Sequence, residues 1–298
     1  MRAFFATTPV PRRARRFTVG SSSALSLCDV LRAETLNATR PCLLVGARDS
    51  RKRPTFLLIL VLALTLPFTA LGQPAPQEYT LLGVAVRTRP AYDGSRSQRV
   101  DLVPVLRFYG KHWFARTTQG TLEGGARWRL APGVDAGVQL AWEEGRKTNE
   151  SNLLESLSLP DVDSGVSIGA HVEWDSMVGR APVSLLGRIR KHVDSSRGEQ
   201  ADVRMNVGLY GAGELAIAAL AQATWASAKS IESFYAIDDP ESGLLHTTLG
   251  LVGSYDLSDH WTAVGGVQAR QLGGHAARSV IVEKKLSYTA SAGLAYRF

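Results

Sequence analysis

The residues best placed to do chemistry are charged side chains recurring on the polar face of alternating stretches. Asp101, Arg107, Arg127, Arg129, Asp135, Glu143, Glu173, Arg188, Arg190, Asp202, Arg204, Arg270 and Arg297 all fall at such positions. Arginine and carboxylate groups at close range cross-link neighbouring elements through charge-assisted hydrogen bonds. Around an aqueous space, the same groups set the field that a passing solute meets. The spacing therefore predicts a luminal charge network. It leaves open whether that network plugs the interior or lines a narrow polar passage.

Other chemistries find less support. His192 with Asp194, followed by Ser195 and Ser196, and His275 further on are the candidates for Ser/His/Asp-type hydrolysis. A solvated loop is the simpler reading of both. His171 and Glu173 share a face, but no third ligand stands at metal spacing. Gly211-Ala212-Gly213 reads as a tight turn rather than a phosphate loop. Asp238, Asp239 and Glu241 form an acidic loop without a second feature that points to a bound cation. The chain is read as a non-enzyme with no catalytic residue, no cofactor and no metal.

The elements that carry these charges are strands. In 134–142, Val134, Ala136, Val138, Leu140 and Trp142 face one way and Asp135, Gly137, Gln139 and Ala141 the other. Period two with unlike faces means a sheet with two environments. The same pattern marks strands at 79–89, 100–109, 113–119, 122–130, 134–142, 166–174, 183–191, 201–210, 215–225, 245–255, 261–272 and 286–298, about twelve in all. Several are as long as the roughly 9–11 residues that a tilted strand needs to cross a bilayer.

Connection lengths sort by parity. Those at 110–111, 131–133, 176–180, 211–213 and 256–259 are short. Those at 90–99, 145–164, 193–200, 226–243 and 273–284 are long, and 120–121 breaks the rule. Short turns at one end and long loops at the other are the signature of a transmembrane barrel. Trp113, Trp128, Trp142, Trp174, Trp225 and Trp261 stand at or near strand ends, where interfacial girdles form. The reading is all-β: a transmembrane antiparallel up-and-down β-barrel over 73–298. Tyr296 and Phe298 share the apolar face of the last strand, and this terminal aromatic pair is expected to be the assembly signal read by the barrel-assembly machinery.

The bulk charge supports this division. The chain carries 34 Lys+Arg and 27 Asp+Glu, but residues 1–72 hold 11 of the basic and 3 of the acidic groups. From Gln73 onward the balance is 23 against 24, so the main domain has no footprint for nucleic acid. Both cysteines, Cys28 and Cys42, lie in the front end. Residues 1–50 form a basic extension without periodicity, read as disordered or as the product of an upstream start codon. Residues 51–72 read as a signal peptide: Arg51-Lys52-Arg53, an apolar run from Phe56 to Phe68, then Ala70 and Gly72 before a cut at Gln73. Export to the cell outer membrane follows, with membrane lipid as a partner.

Several short stretches carry a resemblance. They are Gly83, then Pro90-Ala91-Tyr92-Asp93-Gly94-Ser95, Val103-Pro104-Val105, Gly145-Arg146, Ser279-Val280-Ile281-Val282-Glu283-Lys284-Lys285, and Gly293-Leu294-Ala295-Tyr296-Arg297-Phe298. In order and spacing, 79–298 resembles the MipA/OmpV (MltA-interacting protein) family of outer-membrane proteins. Val280 departs from it where a proline is expected. The resemblance implies a barrel that serves as a scaffold for a periplasmic murein hydrolase and a murein synthase. Other relatives imply roles in osmotic response, adhesion or antibiotic passage. A narrow channel for small polar solutes is the competing reading from the charged inner face.

Overall fold

The computed structural model describes residues 80–298. Twelve antiparallel strands close into one barrel, each paired with its neighbours in sequence and the last with the first. They are β1 Leu81–Pro90, β2 Gln98–Tyr109, β3 Trp113–Thr118, β4 Thr121–Ala131, β5 Val134–Glu143 and β6 Gly165–Val178. The second half is β7 Ala181–His192, β8 Glu199–Ala212, β9 Leu215–Ala226, β10 Gly243–Asp256, β11 Trp261–Leu272 and β12 Leu286–Arg297. Closure is made by β1 on β12, from Leu81 opposite Arg297 to Thr88 opposite Ala290. A closed sheet is what hydrocarbon demands, because every backbone N–H and C=O then pairs within the protein.

The alternation sorts the two faces. Leu102, Leu140, Ile168, Ile189, Leu249 and Val267 point outward and are exposed, whereas Asp135, Gln139, His171, Arg188 and Asp202 point inward and are buried. That is the reverse of a water-soluble protein and matches a barrel with lipid outside and a polar interior. All six tryptophans lie on the outward face. Trp113, Trp128, Trp174 and Trp261 stand toward the short-turn end, Trp142 and Trp225 toward the other. Among the described residues no helix is long and apolar enough to cross a membrane. The strands do the crossing.

Two sequence expectations need correction. The segment 176–180 is not a turn. β6 continues to Val178 and β7 begins at Ala181, so only Gly179-Arg180 turn. Likewise β8 runs to Ala212, and the turn is Gly213-Glu214. Ladder bonds past the apolar stretch keep these ends extended, for example Ser176 opposite Val183. Polarity alone does not reveal them.

The connection at 119–120 stays short because β3 is half the length of β2. Only three pairs join these two strands, Arg107–Arg116, Phe108–Ala115 and Tyr109–Phe114. Above them, β2 has no ladder partner on that side among the described residues. Pro104 sits in this stretch, where a missing N–H costs no ladder bond. The long β5–β6 connection reaches over the short hairpin to β2, where Arg99 meets Glu150 at 2.5 Å.

The apolar core lies in the long loops rather than in the barrel. Tyr92, Leu154, Ile231, Tyr235, Leu272 and Ile281 pack together at the long-loop end. Two helices contribute, Asn152–Ser156 and Ala228–Tyr235, capped by the hydroxyls of Ser151 and Ser227. Ser or Thr at this position satisfies an otherwise unpaired N–H of the first turn.

Candidate functional site in the barrel lumen

Strand register sets arginine opposite carboxylate on the inner face. Arg87 stands across from Asp101, Arg116 from Glu123, Arg129 from Asp135 and Arg188 from Asp202. Direct cross-strand neighbours lie close enough for opposite charges to bond. The pairs then join into clusters at three levels of the lumen.

The middle level is centred on Glu123, whose side chain is wholly buried. It accepts from Arg116 at 2.5 Å, Arg188 at 2.5 Å, Thr118 at 2.8 Å and Gln139 at 3.1 Å. Arg188 belongs to β7 and Glu123 to β4, so this bond spans the interior rather than a neighbouring pair. Arg116 continues to Glu173 at 3.0 Å, and Arg188 to Asp202 at 3.1 Å. Arg190 bonds Glu143 and reaches Asp202 at 3.4 Å. Beneath the long loops, Arg87 meets Asp101 at 2.5 Å and Glu144 at 2.7 Å, and Arg89 meets Glu144 at 2.6 Å. Toward the short turns, Arg127 and Arg129 share Asp135, each at 3.1 Å. There the guanidinium groups of Arg107 and Arg127 stand 5.5 and 5.2 Å from the Tyr109 ring centroid.

Arg270 pairs with Asp93 of the first loop at 2.9 Å, and Arg297 with Asp256 at 2.6 Å. Arg204 bonds the neutral Gln222 through Nε at 2.9 Å and Nη2 at 2.7 Å. The sequence reading omits Arg87, Arg89, Arg116, Glu123 and Glu144 from this set. The first four lie at inward parity and were legible from the alternation. Glu144 lies in a loop, where no periodicity marks it. A cavity of 820 Å³ remains between these groups, from Asp175, Ser184 and Asn206 near the short turns to Tyr92 and Tyr235 under the loops.

The hydrolytic candidates do not assemble. Asp194 accepts from the Ser196 N–H at 2.9 Å as the cap of a short turn of helix. Neither ring nitrogen of His192 has a hydrogen-bond partner among the described residues. His275 pairs with Glu241 at 3.2 Å. The His171 ring sits edge-on to Phe114, centroids 5.1 Å apart, while Glu173 is taken by Arg116. Among the described residues no group of three His, Cys, Asp or Glu is placed to hold a metal.

The stretches 90–95 and 279–285, far apart in sequence, interlock at the rim. Tyr92 Oη donates to the Ile281 carbonyl at 2.9 Å, and the Gly94 carbonyl accepts from Glu283 and Lys284 N–H, each at 2.9 Å. A family model described as MltA-interacting protein MipA matches residues 82–298. The chain belongs to this family. Of the stretches that carry the resemblance, 90–95 and 279–285 form the loop clasp, and Gly83 and 293–298 lie at the β1–β12 seam. Similarity to solved structures is slight. The NanC porin is 11% identical, with a TM-score of 0.46 over 73% of this chain and 100% of that one. An outer-membrane channel from Pseudomonas putida F1 is 9% identical, with a TM-score of 0.44 over 76% and 100%. OmpT of Vibrio cholerae is 8% identical, with a TM-score of 0.39 over 74% and 96%. No curated protein matches. The molecule is an outer-membrane barrel of the MipA family.

At the end of the chain, the Tyr296 ring lies 5.2 Å from Trp261 and 5.0 Å from Phe298, both edge-on. β12 ends at Arg297. Phe298 follows it, bonded through its N–H to the Thr80 carbonyl at 3.1 Å, with its ring exposed. The expected extension 1–50, signal peptide 51–72, lead 73–78 and the expected first strand residue Tyr79 lie outside the described residues.

Proposed function

We propose that this barrel is a non-enzymatic anchor that holds murein-processing enzymes at the periplasmic face of the outer membrane. The observation that carries the reading is the match of nearly the whole barrel to a family described as MltA-interacting. The geometry favours it over transport. The long-loop end is filled by packed side chains, and arginine–carboxylate bonds span the interior. On this reading residues 51–72 direct export, Gln73 begins the mature chain, and the short turns with the 73–78 lead form the docking surface for a murein hydrolase and a synthase. Lys111 and Arg180 are exposed at these turns.

The test is retention of a purified MltA-type hydrolase by the detergent-solubilised barrel fixed to a column. Retention that is lost in Lys111→Glu/Arg180→Glu is expected. Free passage of the hydrolase over the unaltered barrel contradicts the proposal. The 820 Å³ cavity favours a second reading, a narrow channel for small polar solutes or antibiotics. Conductance separates the two.

A further inference from the structure

The inner wall built by β8, β9 and β10 differs from the rest of the lumen. Among the described residues, ten arginines line the cavity against six carboxylates. Two more carboxylates, Glu123 and Asp202, lie fully covered behind the lining. Asp101, outside the lining, bonds Arg87 and Arg89, so the charges come near to balance and the telling feature is which arginine lacks a carboxylate. Arg87, Arg89, Arg116, Arg127, Arg188, Arg190 and Arg270 each have a carboxylate within ion-pair distance. Arg146 and Arg204 have none among the described residues: Arg146 lies in the β5–β6 loop and donates to the Pro160 carbonyl at 3.3 Å, whereas Arg204 lies on β8 inside the barrel and its fork is met by the amide oxygen of Gln222.

Arg204 is 7% exposed, so water does not stand in for the missing anion in bulk. An isolated buried charge is unfavourable unless paired. Its nearest charges, Asp202, Arg188 and Glu123, are already bonded to one another, and the neutral groups Gln200, Asn206, Thr224, Ser230 and His246 line the same cavity. His246 is 6% exposed, and its Nδ1 has no partner among the described residues. Register places the group together. Arg204 is opposite Gln222, Asp202 opposite Thr224, and Thr224 opposite His246. A lone guanidinium with neutral donors and acceptors around it is the chemistry that recognises a carboxylate or phosphate carried on a polar body. The cavity has the volume of a small-molecule site.

We propose that the lumen holds a binding site for a small organic anion, with Arg204 as the anion-binding residue and the Gln200–Thr224–His246 side of the wall holding the ligand's hydroxyl groups. The site stands independently of whether the short turns dock a murein enzyme.

The experiment is calorimetric titration of the detergent-solubilised, heat-modifiable barrel with glucuronate, with inorganic phosphate, and with glucose as the neutral control. Saturable binding of glucuronate that weakens about tenfold or more in Arg204→Gln is expected, as for loss of a charge-assisted pair. Glucose is expected to give no saturable heat. Phosphate that binds more weakly than glucuronate shows that the wall reads the polar body as well as the charge. Arg204→Lys keeps the charge without the fork, and an intermediate affinity is expected from it. Arg129→Gln, at an exposed arginine near the short turns, controls for general loss of positive charge and is expected to bind as the unaltered barrel does. Binding that is the same in Arg204→Gln as in the unaltered barrel overturns the proposal, as does the absence of saturable heat from both anions.

Discussion

Glu123 is a carboxylate with no exposed side-chain surface, held in the middle of a membrane-spanning barrel by two arginines from different strands. Such a group is tolerated only while every partner is in place. Removing one member of a buried pair leaves the other charge uncompensated, at a cost of about 3–5 kcal/mol. Glu123→Gln keeps the volume but removes the carboxylate that joins Arg116 to Arg188, leaving each with one carboxylate, Glu173 and Asp202. It should lower the temperature at which the folded barrel loses its fast mobility in detergent gels, and an unchanged transition would show that the cluster does not hold the walls together. Asp93, in the first loop, gives a pH signature. Burial raises its carboxyl, but the Arg270 guanidinium at 2.9 Å outweighs burial and holds it below the ordinary carboxylate range. A depressed carboxylate stabilises the fold above its unfolded value of about 3.9, and that contribution is lost as pH falls through the folded value. Protease resistance of the loop clasp should therefore fall as the medium is acidified below about pH 4, and Asp93→Asn should flatten that response. An identical pH profile in the variant would contradict the assignment.

Among elements, the β1–β12 seam is the most demanding, because it closes the sheet between the two ends of the described chain. A Cβ at Gly83 would stand 2.1 Å from the Leu294 carbonyl oxygen, a backbone atom that cannot step aside. Gly83→Val should keep β1 from docking on β12, leaving a chain that is not heat-modifiable, whereas a normal folded yield would show that the seam has slack. β12 also carries the aromatic group Trp261–Tyr296–Phe298. If that group is the assembly signal, deleting Phe298 leaves the chain in the periplasm or degraded. Wild-type amounts of inserted barrel after the deletion would place the signal elsewhere.

The strands were legible because each faces lipid on one side and polar groups on the other, so period two persists through every span. Their ends were less so, since Asp175 and Ser176 of β6 stay in the ladder after the apolar side of the pattern stops. The helices at 152–156 and 228–235 left no signal for a different reason. Leu154, Ile231 and Tyr235 are buried against other loops, and those partners are set by the closed barrel rather than by local sequence. The inward parity of Arg87 and Arg116 was available from the alternation. Which carboxylate each would meet was not, because that depends on register and, for Glu144, on a loop folding back over the short β3–β4 hairpin.

For the whole molecule, the proposed anchor role is supported by loops packed together at one end and ion pairs that span the interior. That claim meets its most direct test in single-channel recording of the purified barrel in a planar bilayer. The account predicts a silent protein at moderate voltage. Stable conductance steps that change size or selectivity when Arg127 and Arg129 are replaced by Ala would contradict it, since luminal charge tunes an open pore.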